Sequence, residues 1–184
     1  VTITNRVATI TAPTNWNGSE VITFTATDND GINPMIDSDA ATFTATPVND
    51  APVFSSTAIT AATEDAAYSY TATASDIDGD ALTFAAPTLP SWLSFNTSTQ
   101  VLSGTPLNTH VGNNAVVLTV TDGTVSVEQT FTIIVAQTND APVFSSTAIT
   151  AATEDVAYSY TSTASDEEGN TLTYLATTFP AWLS

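Results

Sequence analysis

The sequence contains no cysteine and a single residue of the Lys and Arg type, Arg6. The absence of cysteine excludes disulfides, thiolate metal sites and thiol redox chemistry. Nucleic acids and anionic membrane surfaces are excluded as partners, because both need several basic side chains to neutralise phosphates. The chain also lacks an apolar run approaching the roughly 20 residues of a membrane span, so no membrane insertion is expected in this segment.

Acidic residues, in contrast, are abundant. Nineteen Asp and Glu residues give the chain of 184 residues a formal net charge of −18. Because 42% of the residues are hydrophobic and 9% are aromatic, the chain can build a packed core and is not a disordered polyanion. Small extracellular domains without disulfides commonly use a bound metal as their alternative staple. Cations are therefore the expected partners.

A long internal repeat predicts the domain organisation. The segment that begins at Asn49 recurs at Asn139, 90 residues later, and the two copies differ at only two positions before Asp76 and its counterpart. The pattern indicates a tandem array that continues in both directions. The predicted domains are the C-terminal part of one repeat (1–48), a complete repeat (49–138) and the N-terminal part of a further repeat (139–184).

The complete repeat has the two-residue period of half-buried strands. Apolar and polar side chains alternate in three runs, and Asp122-Gly123 marks a hairpin turn between the last two. The apolar members are Tyr68, Tyr70, Ala72 and Ala74; Val116, Leu118 and Val120; and Val127, Phe131, Ile133 and Val135. No segment has a helical period, so we predict an all-β fold of tandem immunoglobulin-like antiparallel β-sandwiches with about seven strands per complete repeat. Burial is expected at Tyr70, Phe84, Trp92, Leu118 and Phe131.

Acidic residues concentrate where successive repeats should meet. They lie in the linker (Asn49-Asp50), in the turn after the second strand (Asp76 to Asp80) and in the last hairpin (Asp122). In an immunoglobulin-like sandwich these loops lie at the end that carries the N-terminus. Several carboxylate and amide oxygens on converging loops suit a cation with about six to eight oxygen ligands, which favours calcium over magnesium. The alternative is a solvated surface whose acids only maintain solubility.

Three motifs of the complete repeat form a recognisable set. They are Val48-Asn49-Asp50-Ala51-Pro52-Val53-Phe54 at the linker, Asp76-Ile77-Asp78-Gly79 in the turn, and Trp92-Leu93-Ser94 followed by Val101-Leu102-Ser103-Gly104-Thr105-Pro106. The first two resemble the linker and the calcium-binding turn of cadherin repeats. The third is similar to the dystroglycan-type cadherin-like, immunoglobulin-like tandem repeats of large bacterial surface adhesins. The resemblance covers essentially the whole chain.

The resemblance implies calcium at both linkers and gives Glu64 the role of the glutamate that reaches the next linker. Asp80 is left out of the predicted ligand set, because Asn170 occupies the corresponding position in the next copy. The predicted ligands of the first linker are Asn49, Asp50, Asp76, Asp78 and Asp122. Those of the second linker are Glu64, Asn139, Asp140, Asp166 and Glu168.

The predicted function is mechanical. The repeats are expected to act as extender or stalk modules of a long extracellular adhesin or surface fibre, secreted to a bacterial cell surface, with linkers rigidified by calcium. Expected partners are calcium ions, neighbouring modules of the same chain and, in a fibre, copies of the chain itself.

Two alternatives remain open at the level of sequence. One is a recognition module that binds glycans or a partner protein through its loops or through exposed tryptophans. Trp92 and Trp182 are candidates for such a sugar-stacking platform, although a core role is favoured for both. The other is an accessory domain of a secreted hydrolase. Catalysis by this segment itself is not predicted, since its single histidine, His110, lies in a Gly- and Asn-rich loop.

Overall fold

A computed structural model describes residues 2–4, 6–28 and 31–178. Its described residues form fifteen strands and one short 3₁₀ turn, Asn108–His110, and contain no α-helix, which confirms the predicted all-β class. The strands are β1 (Thr2–Thr4), β2 (Val7–Thr9), β3 (Gly18–Thr27), β4 (Ile36–Ala45), β5 (Val53–Phe54), β6 (Ala61–Thr63), β7 (Tyr68–Thr71), β8 (Ala74–Ser75), β9 (Thr83–Thr88), β10 (Leu93–Asn96), β11 (Val101–Gly104), β12 (Gly112–Thr121), β13 (Ser126–Ala136), β14 (Val143–Phe144) and β15 (Ala164–Ser165).

Two compact units share the chain. The first contains Val1–Ser55, Thr73–Phe84 and Thr119–Val127, and the second contains Ser56–Ala72, Ala85–Leu118 and Glu128–Ser184. The predicted boundaries at residues 49 and 138 stay a prediction. No helix in the described ranges is long and apolar enough to cross a membrane.

Two sheets carry most of the strands between residues 61 and 136. One has the order β10-β11-β7, and the other has the order β6-β13-β12-β9. Strand β6 runs parallel to β13, with Ala62 opposite Val135, whereas β11 is antiparallel to both of its neighbours. The predicted Asp122-Gly123 hairpin joins β12 to β13, and Gly123 adopts a φ of 97° that this tight turn requires. The topology is that of an immunoglobulin-like sandwich.

The core follows the predicted alternation. Burying each large apolar side chain contributes about 1.5–3 kcal/mol, so this set accounts for the main driving force of the fold. Its buried members include Tyr68, Tyr70, Ala72, Trp92, Leu93, Leu102, Val116, Leu118, Val120, Ile133 and Val135. Phe84 and Phe131 are half-buried.

Polar groups within this core are paired. The Tyr70 hydroxyl donates to Oε1 of Gln129 over 2.8 Å, and the Gln129 amide donates to the Ser56 carbonyl over 2.9 Å. Gln129 therefore explains the gap in the apolar alternation of β13. The Tyr68 hydroxyl donates to the carbonyl of Ile59 over 2.7 Å, and burial raises the pKa of Tyr68 to about 12.

Trp92 is buried at the end of the three-stranded sheet. Its Nε1–H donates to Oδ1 of Asn114 over 2.9 Å, and its ring lies edge-on to Tyr68 with 5.7 Å between the ring centroids. Gly104 lies so close to this residue that a Cβ at position 104 would overlap the Trp92 carbonyl. The Trp-Leu-Ser and Leu-Ser-Gly motifs are thus two parts of one packing arrangement.

The flanking segments contain fewer paired strands. Within residues 2–48 the structure has the β1–β2 pair and the β3–β4 hairpin, in which Phe24 and Phe43 meet edge to face. Within residues 139–178 the described strands are β14 and β15, with Val143 opposite Ser165. The same register joins Val53 to Ser75 in the preceding copy. That these segments are parts of interrupted repeats stays a prediction.

Candidate metal centres

Two groups of three carboxylates lie at the two linkers. The first cluster is Asp76, Asp78 and Asp80, in the first compact unit, and the second cluster is Glu64, Asp140 and Glu168, in the second unit. In each cluster, one carboxylate oxygen from each residue lies within 4.8 Å of the others. Among the described residues, these are the groups of three or more acidic or histidine side chains that could hold a metal ion.

The first cluster is built on a tight turn that follows β8. Asp76 Oδ1 accepts hydrogen bonds from the main-chain N–H groups of Asp78 (2.9 Å) and Asp80 (3.3 Å), which curls the chain around its own carboxylate. Gly79, with a φ of 81°, supplies the left-handed residue that the turn needs. The second oxygen of Asp76 is buried and has no hydrogen-bond partner.

The linker is tied directly to this turn. The main-chain N–H of Asp50 donates to Oδ2 of Asp78 over 2.7 Å. Asn49 Nδ2 donates to Oδ2 of Asp122 over 2.9 Å. The hydrogen bond from Asn49 is the main reason that the pKa of Asp122 lies below its ordinary value, and the N–H groups at Val125 and Thr124 add to it. Asp122 thus fixes the linker beside the first cluster without belonging to it.

The second cluster combines residues that are far apart in sequence. Glu64 directly follows β6 and is only 2% exposed. Its Oε2 accepts the main-chain N–H of Thr138 over 3.0 Å, which brings the start of the linker to the carboxylate. The main-chain N–H of Asp140 donates to Oε2 of Glu168 over 3.1 Å. One further oxygen of Asp140 and one of Glu168 are buried without a partner.

The second cluster is electrostatically unfavourable for three ionised acids. Burial raises the pKa of Asp140 above its ordinary value, and the nearby charges of Glu168 and Asp65 raise it further. The chain has only Arg6 to offer as a permanent cation. A bound cation with a preference for oxygen ligands would pair the buried oxygens and offset this repulsion.

The structure groups the predicted ligands selectively. Glu64, Asp140 and Glu168 lie in one group, and Asp76 and Asp78 share the other. Predicted residues outside the two carboxylate groups are Asn49, Asp50, Asp122, Asn139 and Asp166, all of which have hydrogen bonds at the linkers or in the turns. Their roles as ligands stay a prediction.

Asp80 is the candidate ligand that sequence reasoning missed. The comparison of copies argued against it, because the next copy has Asn170 at that position. The Asp-x-Asp-Gly-Asp spacing was the available signal, since the hydrogen bond from Asp80 to Asp76 closes the turn locally. In the next copy the main-chain N–H of Asn170 donates to Oδ1 of Asp166 over 2.9 Å, so the backbone is conserved while the carboxylate is replaced by an amide.

His110 has the wrong hydrogen bonds for a general base acting on a serine. Its Nδ1 accepts the main-chain N–H of Leu107 over 2.9 Å, so the neutral ring carries its proton on Nε2. Nε2 then donates to Ser91 Oγ, 3.2 Å away. In a catalytic triad Nε2 must instead accept the proton of the serine. The hydrogen bonds of His110 to Leu107 and Ser91 fit a structural role, in which the ring stabilises its own loop.

Residues 51–136 match a family whose description is "Putative Ig domain". The match lies inside the predicted repeat 49–138 and confirms the immunoglobulin-like character of this segment. No curated protein matches the chain significantly.

Solved structures that resemble parts of this chain include cadherin ectodomains and a hydrolase. Human Protocadherin-24 EC1-2 is 25% identical over 65% of this chain and 62% of that chain, with a TM-score of 0.43. The protocadherin gammaB7 EC3-6 cis-dimer is 19% identical over 81% of this chain and 43% of that chain, with a TM-score of 0.49. An endo-fucoidan hydrolase of glycoside hydrolase family 107, MfFcnA4, is 29% identical over 64% of this chain, with a TM-score of 0.43. The chain spans 19% of the length of that hydrolase.

Proposed function

We propose that this chain, whose residues 51–136 are an immunoglobulin-like repeat, is a stretch of extender modules of a long extracellular adhesin or surface fibre. Calcium ions bind at its two linkers and stiffen them. One arrangement, which occurs twice, 90 residues apart, supports this function. At each linker a main-chain N–H donates to a carboxylate of the acidic turn, and a buried carboxylate oxygen nearby has no hydrogen-bond partner. A merely solubilising surface would not bury such oxygens.

The chemistry of both clusters favours calcium. Calcium accepts about six to eight oxygen ligands at about 2.3–2.6 Å with flexible geometry, whereas magnesium prefers about 2.0–2.1 Å and keeps several waters. Three carboxylates whose oxygens lie within 4.8 Å of one another need only a modest contraction to surround the larger ion. Main-chain carbonyls and water would complete its coordination.

The carboxylates of the second cluster come from both sides of the linker. Glu64 comes from the complete repeat, whereas Asp140 and Glu168 come from the segment that repeats its beginning. An ion held by all three carboxylates connects the residues on the two sides of the linker. Without the ion, the same carboxylates repel one another and the linker becomes a hinge.

Small-angle X-ray scattering of the full chain tests this function. The measurement compares about 5 mM calcium, which exceeds the roughly 0.1–1 mM affinity of extracellular modules, with a calcium-free buffer and with the same concentration of magnesium. Calcium, but not magnesium, is expected to give a longer, more uniform particle. Circular dichroism should show that the sandwich stays folded in all three buffers. Equal dimensions in all three buffers would refute the calcium-stiffened stalk.

A recognition function is the second candidate, and the exposure of Trp16 favours it. Trp92 is buried and cannot act as a stacking platform, and Trp182 lies outside the described residues. Trp16 is 37% exposed and lines a cavity of about 510 Å³ together with Pro13 and Phe43. Quenching of tryptophan fluorescence by maltohexaose or cellohexaose, abolished by Trp16→Ala, would establish recognition, whereas unchanged fluorescence would exclude these glycans as ligands.

A further inference from the structure

Residues 106–110, which we call the bracket, contact both sides of the second cluster without contributing a carboxylate. On one side, the Pro106 carbonyl accepts the main-chain N–H of Asp65 over 2.9 Å, and Asp65 directly follows Glu64. On the other side, Asn108 Nδ2 donates to the carbonyl of Glu167 over 2.9 Å. Glu167 lies between Asp166 and Glu168 in the turn that supplies a carboxylate to the cluster.

The bracket is itself held rigidly. Its 3₁₀ turn has hydrogen bonds from His110 N–H to the Leu107 carbonyl (2.8 Å) and from Leu107 N–H to His110 Nδ1 (2.9 Å). The Asn114 amide donates to the His110 carbonyl over 2.8 Å, and the same side chain accepts the indole N–H of Trp92. Two hydrogen bonds, which run through the side chain of Asn114, therefore connect the turn that contains Asn108 to the buried Trp92 of the core.

From these contacts we infer that the bracket is a metal-independent latch, in which Asn108 is a positioning residue that holds the 166–170 turn against Glu64. The inference rests on the proposed function, because it concerns the same cation site. In the absence of calcium the hydrogen bond from Asn108 persists, since neither of its partners is charged. The latch thus limits how far Glu168 can move from Glu64 and Asp140 when the calcium-free linker bends, and it reduces the conformational entropy lost on calcium binding.

The hydrogen bonds of the bracket reach Asp65 and Glu167, both next to residues of the second cluster. The turn that contains Glu167 is the counterpart of the turn that contains Ile77, which carries the first cluster. The first cluster therefore serves as a control within the same molecule.

Asn108→Ala in the full chain tests the latch, with Asn113→Ala as the matched control because Asn113 is an exposed asparagine of β12. In calcium-free buffer, amide exchange at Gly169 and Asn170 is expected to accelerate about three- to tenfold in Asn108→Ala, as the loss of one hydrogen bond predicts. Exchange at the Val116 and Leu118 amides reports whether the sandwich remains intact. Unchanged exchange at Gly169 and Asn170 would overturn the inference.

Calcium titration followed by NMR separates the latch from the proposed function. The apparent Kd of the second cluster should rise about three- to tenfold in Asn108→Ala, while the Kd of the first cluster stays constant. If wild-type protein binds no calcium, the proposed function fails, but the exchange measurement still decides on the latch. If wild-type protein binds calcium and Asn108→Ala binds it with unchanged Kd, the positioning role is refuted.

Discussion

The main-chain N–H of Asp140 donates to a carboxylate oxygen of Glu168. In the preceding copy the corresponding bond runs from Asp50 to Asp78 over 2.7 Å. Glutamate has one methylene more than aspartate, yet the linker–turn contact is retained. The second oxygen of Glu168 is consequently directed into a buried position beside Asp140, where it has no partner. The two linkers are thus similar in backbone and different in the carboxylates that they offer to a cation.

The first prediction concerns the two clusters as separate sites. Asp76→Asn removes the buried carboxylate of the first cluster and is expected to weaken calcium binding there at least tenfold, because each carboxylate supplies a large share of the site's charge. Binding at the second cluster should be unchanged. Isothermal titration calorimetry with NMR assignment of the two sites measures both values. Glu128→Gln, a substitution on an exposed part of β13, controls for the loss of one negative charge. Equal weakening at both sites would argue against separate centres.

Glu64 and its counterpart Glu154 provide a matched pair of substitutions. Glu64 is 2% exposed and lies in the second cluster, whereas Glu154 is exposed and lies outside both groups. Glu64→Gln should raise the calcium Kd of the second cluster at least tenfold, and Glu154→Gln should leave it constant. The glutamine keeps an oxygen for the Thr138 N–H, so the fold is preserved. Similar affinities in the two variants would remove Glu64 from the site.

The raised pKa of Asp140 predicts an unusual pH dependence of the calcium-free protein. Burial, Glu168 and Asp65 raise the pKa in the folded state, so the folded protein binds the proton more readily than the unfolded chain does. The contribution to stability is therefore complete below the ordinary carboxyl pKa and is lost as pH rises through the raised pKa. Without calcium, this group should lower the melting temperature as the pH rises above the ordinary carboxyl pKa and through the raised pKa of Asp140. Asp140→Asn should abolish that component.

Asp122 should contribute with the opposite sign. The hydrogen bond from Asn49 lowers its pKa, so its contribution to stability is present above the ordinary carboxyl pKa and is lost as pH falls through the lowered pKa. Asp122→Asn should therefore reduce the loss of stability at acidic pH. Melting curves of both variants and of wild type, in calcium-free buffer, measure the two components. The same sign in both variants would contradict the assignment of these shifts.

The packing of Gly104 against Trp92 predicts a specific core defect. Gly104→Ala places a methyl group on the Trp92 carbonyl and forces the two strands apart. We expect a loss of about 1–3 kcal/mol in the free energy of unfolding, with a red shift of tryptophan emission. Urea denaturation measures this loss, and Ser103→Ala in the same strand is the control. Wild-type stability in Gly104→Ala would show that the strands accommodate the methyl group without strain.

Local sequence pattern was sufficient for the alternating core strands and for the last hairpin turn. The alternation from Tyr68 to Ala72 and from Val116 to Val120 predicted the buried faces, because successive side chains of a strand point to opposite sides. Asp122-Gly123 predicted its hairpin, since glycine adopts the positive φ that the turn imposes. The recurrence of the linker motif and the acidic turn likewise located both candidate metal centres.

Only the tertiary structure decided which oxygens share a candidate centre. Asp80 joins the first cluster because its N–H bonds to Asp76, whereas Asp122 lies outside it with its oxygens engaged by N–H donors. The hydrogen bond from Thr138 to Glu64 spans 74 residues, and the one from Asn108 to Glu167 spans 59. Neither residue pair has a local signal, because these contacts depend on where the sandwich places the ends of distant strands. Sequence determines the chemistry of each candidate ligand, and the path of the chain determines its neighbours.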